Sequence, residues 1–205
     1  MGGQDSLSVA WSCQQIGNIY NMAGDDIRRK GKFRGGFASA VPRQFEQALE
    51  YYQKSLDIYI RGGHHLHVAQ LWDSQGTVYS TLGQHEKALE YQQKSIDLYL
   101  REGMHSECKH FLSNSYDHIG STLLYMGKYE EALVYMQKAL EIELKLHGNE
   151  HESVAFRFNN MATVYLDQGN HVKAKEMATK AYHIFLKVLG PDHPYTQMSS
   201  KLSRI

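Results

Sequence analysis

The apolar residues of this chain recur three and four positions apart, the spacing that gathers them on one face of an α-helix. In QFEQALEYYQKSLDIYI, beginning at Gln44, that face is Leu49, Tyr52, Leu56 and Tyr59. In QHEKALEYQQKSIDLYL, beginning at Gln84, it is Leu89, Ile96 and Leu100. The alternation expected of a half-buried strand is absent. The two segments are near copies of one another. KYEEALVYMQKALEIEL from Lys128 and the weaker HVKAKEMATKAYHIFL from His171 continue the series. Ala48, Ala88, Ala132 and Ala174 hold the same place in each copy, at spacings of 40, 44 and 42 residues. A fixed period in this range predicts stacked repeats, each too small to bury its apolar face alone.

Every copy has a partner segment upstream. These read IGNIYNMAG (16–24), QGTVYSTLG (75–83), IGSTLLYMG (119–127) and MATVYLDQG (161–169). In each, a small residue (Gly17, Gly76, Gly120, Ala162) precedes a glycine (Gly24, Gly83, Gly127, Gly169) by seven positions. The small residue allows two helices to approach closely. The later glycine suits the left-handed position that ends a helix. Each repeat is therefore predicted as two antiparallel helices, A and B, joined by a tight turn.

The pattern of Gly or Ala, then Tyr or Leu, then Gly, then Ala resembles the tetratricopeptide repeat, whose usual length is about 34 residues. The longer period here resembles the repeats of kinesin light chains and of Pins/LGN-type G-protein signalling modulators. LGPDHPYT (189–196), echoed by HGNEHESV (147–154), resembles the kinesin-light-chain inter-repeat motif, and IGNIY (16–20) resembles the LGN-type helix A. The resemblance covers residues 6–205. It implies an all-α fold: a right-handed superhelix, or α-solenoid, of about four helix pairs within one domain spanning 1–205. The repeats are placed at 6–61, 64–102, 105–146 and 151–188. Tyr195, Met198, Leu202 and Ile205 recur at helical spacing and predict a capping helix at 194–205 over the apolar edge of the last repeat.

The first repeat departs from the others. Gly24 and Ala48 are 24 residues apart, whereas Gly83 and Ala88 are five apart. The difference predicts an insertion at 25–43 in the A–B turn, loosened by Gly31, Gly35 and Gly36. It carries Arg28, Arg29, Lys30, Lys32, Arg34 and Arg43 against only Asp25 and Asp26. An alternative role follows: a regulatory or oligomerisation arm whose basic insertion contacts an anionic partner or membrane surface through Arg28, Arg29, Lys30, Lys32 and Arg34.

In the resembled family the A helices line a concave surface. Taking the small residue as register, the inward positions are Gln14, Asn18 and Asn21 in repeat 1, and Asp73, Thr77 and Ser80 in repeat 2. They are Asp117, Ser121 and Leu124 in repeat 3, and Asn159, Thr163 and Leu166 in repeat 4. Side-chain amides donate and accept at once, which suits the backbone of a bound peptide. By resemblance, Asn18 and Asn160 stand where Pins/LGN-like repeats carry groove asparagines, and Asn159 matches the asparagine pair of the kinesin-light-chain type. The expected function is a noncatalytic scaffold or adaptor that binds a peptide segment of a protein partner in the groove. Asp73 and Asp117 add a preference for a partner carrying Lys or Arg.

Composition narrows this picture. The 205 residues hold 22 Lys+Arg and 22 Asp+Glu. That balance argues against general nucleic-acid binding. No apolar run approaches the roughly 18 residues of a membrane span. Cys13 and Cys108 are the only cysteines, and neither lies in a CxxC pair. A reducing, cytoplasmic setting is expected. The twelve histidines cluster in the inter-repeat turns as His64, His65 and His67, then His105 and His110 with Cys108, then His147 and His151. Because His65, His151 and His193 recur with the repeat, they read as turn architecture; no metal site and no cofactor is expected. His85-Glu86 and His151-Glu152 begin an HExxH motif, but Leu89 and Ala155 stand where its second His belongs. No catalytic constellation is found. Met1 to Ser6 matches the N-myristoylation pattern, which the sequence leaves open along with the oligomeric state.

Overall fold

The computed structural model describes residues 2–31, 40–103 and 106–205, with side chains over 6–22, 43–103 and 108–205. Its described residues form helices and no strand. They are α1 (Gly2–Gly31), α2 (Ala40–Arg61), α3 (His65–Thr81), α4 (His85–Arg101), α5 (Ser106–Tyr125), α6 (Tyr129–His147), α7 (Glu152–Asp167), α8 (His171–Leu189) and α9 (Pro194–Leu202). They group into two compact units, Met1–Gly103 and Met104–Ile205. In the first, α1 packs on α2, α2 on α3 and α3 on α4. In the second, α5 to α9 pack in the same successive order, and α5 also meets α7.

The pairing of A and B helices follows from the small residues. Ala48, Ala88, Ala132 and Ala174 have no exposed surface. Opposite the first three stand Gly17, Gly76 and Gly120. A Cβ added at Gly120 would lie 2.7 Å from Met136 Cγ and 3.1 Å from the Ala132 carbonyl oxygen. Glycine therefore sets how closely α5 and α6 approach.

Farther along the first three pairs, a hydroxyl ties the helices. Ser55 Oγ donates to the Ala10 carbonyl and Ser95 Oγ to the Ala69 carbonyl, each at 2.8 Å. In repeat 3 the donor changes sides: Ser113 Oγ on α5 donates to the Ala139 carbonyl on α6 at 3.1 Å. In repeat 4 both places are alanine, Ala155 and Ala181, and both are fully buried. Each tie contributes on the order of 1 kcal/mol, and one hydroxyl at either place supplies it.

The turns within repeats 2 to 4 share one design. Gly83, Gly127 and Gly169 take φ of 76°, 73° and 80°. Past the first of them, the Gln84 N–H reaches the Tyr79 carbonyl at 2.9 Å and the Gly83 N–H reaches the Ser80 carbonyl at 3.0 Å. This is the Schellman closure of a helix end. Lys128 on Leu123 and Asn170 on Tyr165 repeat it at 2.9 and 2.8 Å.

Three sequence expectations change. Gly24 does not end its helix: α1 continues to Gly31, and α2 starts at Ala40. Much of the 25–43 segment is therefore helix rather than turn. Asp26, Ile27, Arg28, Arg29 and Lys30 include no helix breaker, and Pro42 sits in the first turn of α2, where its missing N–H has no helical partner to lose. Leu100 is about half exposed, while Ile96 and Tyr99 face the core. The last helix turns a different face inward as well. Tyr195, Met198 and Ile205 are 42%, 45% and 53% exposed, whereas Thr196 and Ser199 are buried. In its inner place Ser199 donates to Asn159 Oδ1 at 3.2 Å. Tyr195 still packs edge-on against Phe156, with ring centroids 4.7 Å apart.

Candidate functional site

The predicted groove residues lie on A helices, but their surroundings differ between the units. On α1, Gln14, Asn18 and Asn21 share one face at i, i+4 and i+7, and all three are half-buried. Asn18 Oδ1 accepts the Tyr52 hydroxyl at 2.8 Å, which leaves its Nδ2 to donate elsewhere. On α3, Asp73 and Thr77 are half-buried and Ser80 is buried. The Thr77 hydroxyl donates to the Asp73 carbonyl of its own helix at 3.1 Å.

In the second unit two of the equivalent places, Asp117 and Asn159, are drawn into the fold. Ser121, Leu124, Thr163 and Leu166 are half-buried, and Thr163 Oγ1 donates to the Asn159 carbonyl at 3.2 Å. Asn159 is buried beneath Ser199 of α9. Asp117 is also buried. Its Oδ2 accepts from Asn160 Nδ2 at 2.7 Å and lies 3.2 Å from Arg157 Nη1. Thus Asp117 and Asn160, 43 residues apart, are brought together, and the charge of Asp117 is met within the unit.

Arg157 is the hub of this arrangement. Its Nη2 donates to Asn114 Oδ1 and to Glu143 Oε1, the latter at 3.3 Å. The side chains of Arg157, Asp117 and Glu143 are 8%, 7% and 0% exposed. Two carboxylates therefore share one guanidinium where water cannot screen them.

Glu143 also meets two imidazoles. His110 Nδ1 of α5 lies 3.1 Å from Glu143 Oε1, and His147 Nε2, one turn along α6, lies 3.6 Å from Oε2. The His147 ring stacks on His151, with centroids 4.0 Å apart. His151 caps α7, its Nδ1 accepting the Ser153 N–H at 3.2 Å; His193 caps α9 in the same way. The first histidine cluster is arranged differently. His65 pairs with Glu102 at 2.6 Å, and His67 stacks on Tyr59 at 4.6 Å between ring centroids. Burial, with a smaller push from His64, holds the His67 pKa below the ordinary histidine value. Cys13 and Cys108 are free, half-buried thiols.

Glu143 and Arg157 were absent from the sequence-derived site. A signal for Glu143 exists. Eleven residues after the repeat alanines stand Tyr59, Tyr99, Glu143 and Phe185. The three aromatics are 2%, 3% and 0% exposed. Repeat 3 places a carboxylate where its siblings bury a ring.

Of the basic insertion, Lys32 and Arg34 lie outside the described residues, as do the side chains of Arg28, Arg29 and Lys30. Among the described residues no helix is long and apolar enough to cross a membrane.

Successive antiparallel helix pairs with a glycine-closed turn in repeats 2 to 4 define an all-α solenoid class of protein. The tetratricopeptide repeat model matches residues 43–101 and 111–187, and the chain belongs to that family. Solved structures agree on the fold. BtubC from P. vanneervenii aligns at a TM-score of 0.60 and 15% identity, covering 94% of this chain and 84% of that one. The nearly identical repeats of a putative kinesin light chain from Podosopora anserina align at 0.63 and 17%, covering 91% and 84%. The apo form of RapI aligns at 0.66 and 18%, covering 91% of this chain but 52% of RapI. A comparison with curated proteins gives no match. The tetratricopeptide fold is typically a noncatalytic interaction scaffold, because a repeat array offers a broad surface rather than a closed pocket.

Proposed function

We propose that the chain is a noncatalytic adaptor that holds a peptide segment of a partner protein on the polar faces of its A helices. The observation that carries this reading is the row of half-buried amides on α1, Gln14, Asn18 and Asn21. Amides at i, i+4 and i+7 can meet successive backbone groups of an extended peptide, donating to carbonyls and accepting from N–H groups. Ser121 and Thr163 provide smaller polar contacts in the second unit. Asn159 and Asn160 serve mainly to hold that unit together. Asp117 is paired with Arg157 inside the unit, so its charge does not select for Lys or Arg in the partner.

The test starts from partners captured by the full chain, from which the bound peptide is mapped and its affinity measured directly. The combined variant Gln14→Ala, Asn21→Ala removes two amides without disturbing the Asn18–Tyr52 bond. Affinity is expected to fall about tenfold, the effect of one or two hydrogen bonds. Equal affinity for both proteins, with unchanged thermal unfolding, would rule out α1 as the peptide-binding face.

A further inference from the structure

The buried network of the second unit holds one formal negative charge in excess. Asp117 and Glu143 are carboxylates, and Arg157 is the guanidinium between them. Asp117 has Asn160 as a second donor. Glu143 Oε1 faces Arg157 and His110, while Oε2, fully buried, has no hydrogen-bond partner, as is also true of Asp117 Oδ1. An uncompensated charge in such a place is strongly unfavourable. The titratable and charged groups facing Glu143 are His110 from α5, His147 from α6 and Arg157 from α7, with His151 stacked behind His147.

We propose that His110, Glu143 and His147 form a binding site for a divalent cation of the zinc class. Three observations converge. First, the donor atoms, imidazole nitrogens and carboxylate oxygens, all lie within 4.8 Å of one another. The 3.6 Å between His147 Nε2 and Glu143 Oε2 is close to the roughly 3.4 Å between ligands of a tetrahedral zinc ion with bonds near 2.1 Å, and His110 Nδ1 stands beside the same carboxylate, 3.1 Å from Oε1. Second, the orphaned Oε2 is aimed at the His147 nitrogen, the place where a cation would bridge the two. Third, the repeat pattern makes Glu143 an exception. Tyr59, Tyr99 and Phe185 show that the fold accommodates a buried ring at this register, so packing alone does not require the carboxylate.

The supporting groups fit the same role. A ligating carboxylate is oriented by an outer donor, and Arg157 on Oε1 is placed to do this while leaving Oε2 free for the ion. Asn114 and Asp117 hold Arg157 in turn. The His110 side chain is 44% exposed, so the ion would reach the site from solvent, and water would complete its coordination. The bound cation would fasten α5 to α6 and offset the excess charge. This inference is independent of the peptide-binding reading.

The experiment titrates ZnCl2 into the full chain, following binding by calorimetry and the melting temperature with and without EDTA. Cobalt(II) absorption reports the ligand set. One saturable zinc per chain is expected, with a melting temperature that rises with zinc and falls back with EDTA. His110→Ala, His147→Ala together should lower affinity by at least about tenfold and remove the cobalt spectrum. His64→Ala, His65→Ala, His67→Ala together should leave both unchanged. Glu143→Tyr restores the residue type of the sibling repeats; it should stay folded and lose the zinc response. Absence of saturable binding overturns the proposal. So does zinc binding that survives either the His110/His147 pair or Glu143→Tyr, and so does stability that responds to pH but not to zinc.

Discussion

At Gly76 the backbone of α3 lies so close to α4 that one methyl group decides the packing. An added Cβ would stand 2.6 Å from Gln92 Cγ, 3.1 Å from the Ala88 carbonyl oxygen and 3.3 Å from the Gln92 nitrogen. Alanine is the better helix former by about 1 kcal/mol. Overpacking against a backbone that cannot swing aside costs about 1–3 kcal/mol. The second effect is expected to win, so Gly76→Ala should destabilise the chain by about 1 kcal/mol in urea unfolding. A variant as stable as the parent, or more so, would show that α3 and α4 can separate freely. The sequence made this position visible because its small size recurs beside a repeating pattern of alanines. Glu143 was harder to see. On an amphipathic helix a glutamate among Glu141, Leu144 and Lys145 reads as part of the solvated face, and only comparison eleven residues past each alanine reveals that its place is interior.

Among the elements, the paired helices follow from apolar spacing, and the Schellman glycines fix three of the A–B turns. The exception is the end of α1. Gly24 has the place of a terminator but is followed by residues able to propagate a helix, and the local competition goes to elongation. The last element shows the opposite difficulty. Its existence was legible from periodicity, and Pro194 stands at its start. Its inward face was not: Thr196 and Ser199 are the buried residues, and Ser199 bonds Asn159, a contact that apolar periodicity does not announce. The contribution of α9 is measurable. Ending the chain at residue 193 removes Tyr195 from Phe156 and Phe185 and uncovers Asn159. Loss of one aromatic cluster of this kind costs about 2–3 kcal/mol. Urea unfolding of the shortened chain should reveal that loss. An unchanged midpoint would mean that α9 rests on α8 without stabilising it.

On the scale of the whole molecule, stability comes from neighbours in sequence. The second unit has its own buried residues, from Leu112 through Phe185, and its own polar hub. A fragment of residues 104–205 is therefore expected to fold alone, with a helical circular dichroism spectrum and a cooperative thermal transition. A spectrum of largely unfolded chain would show that this unit depends on the first. The same arrangement bears on how such a chain can change over generations. Arrays of this kind lengthen and shorten when recombination duplicates or removes a whole repeat, and junctions joined only by apolar packing tolerate the exchange. The contacts of Arg157 with Asp117 and Glu143 make the join between the third and fourth repeats unlike such a junction. A crossover there would strand two buried carboxylates without their guanidinium, a loss that strongly disfavours separating these two repeats.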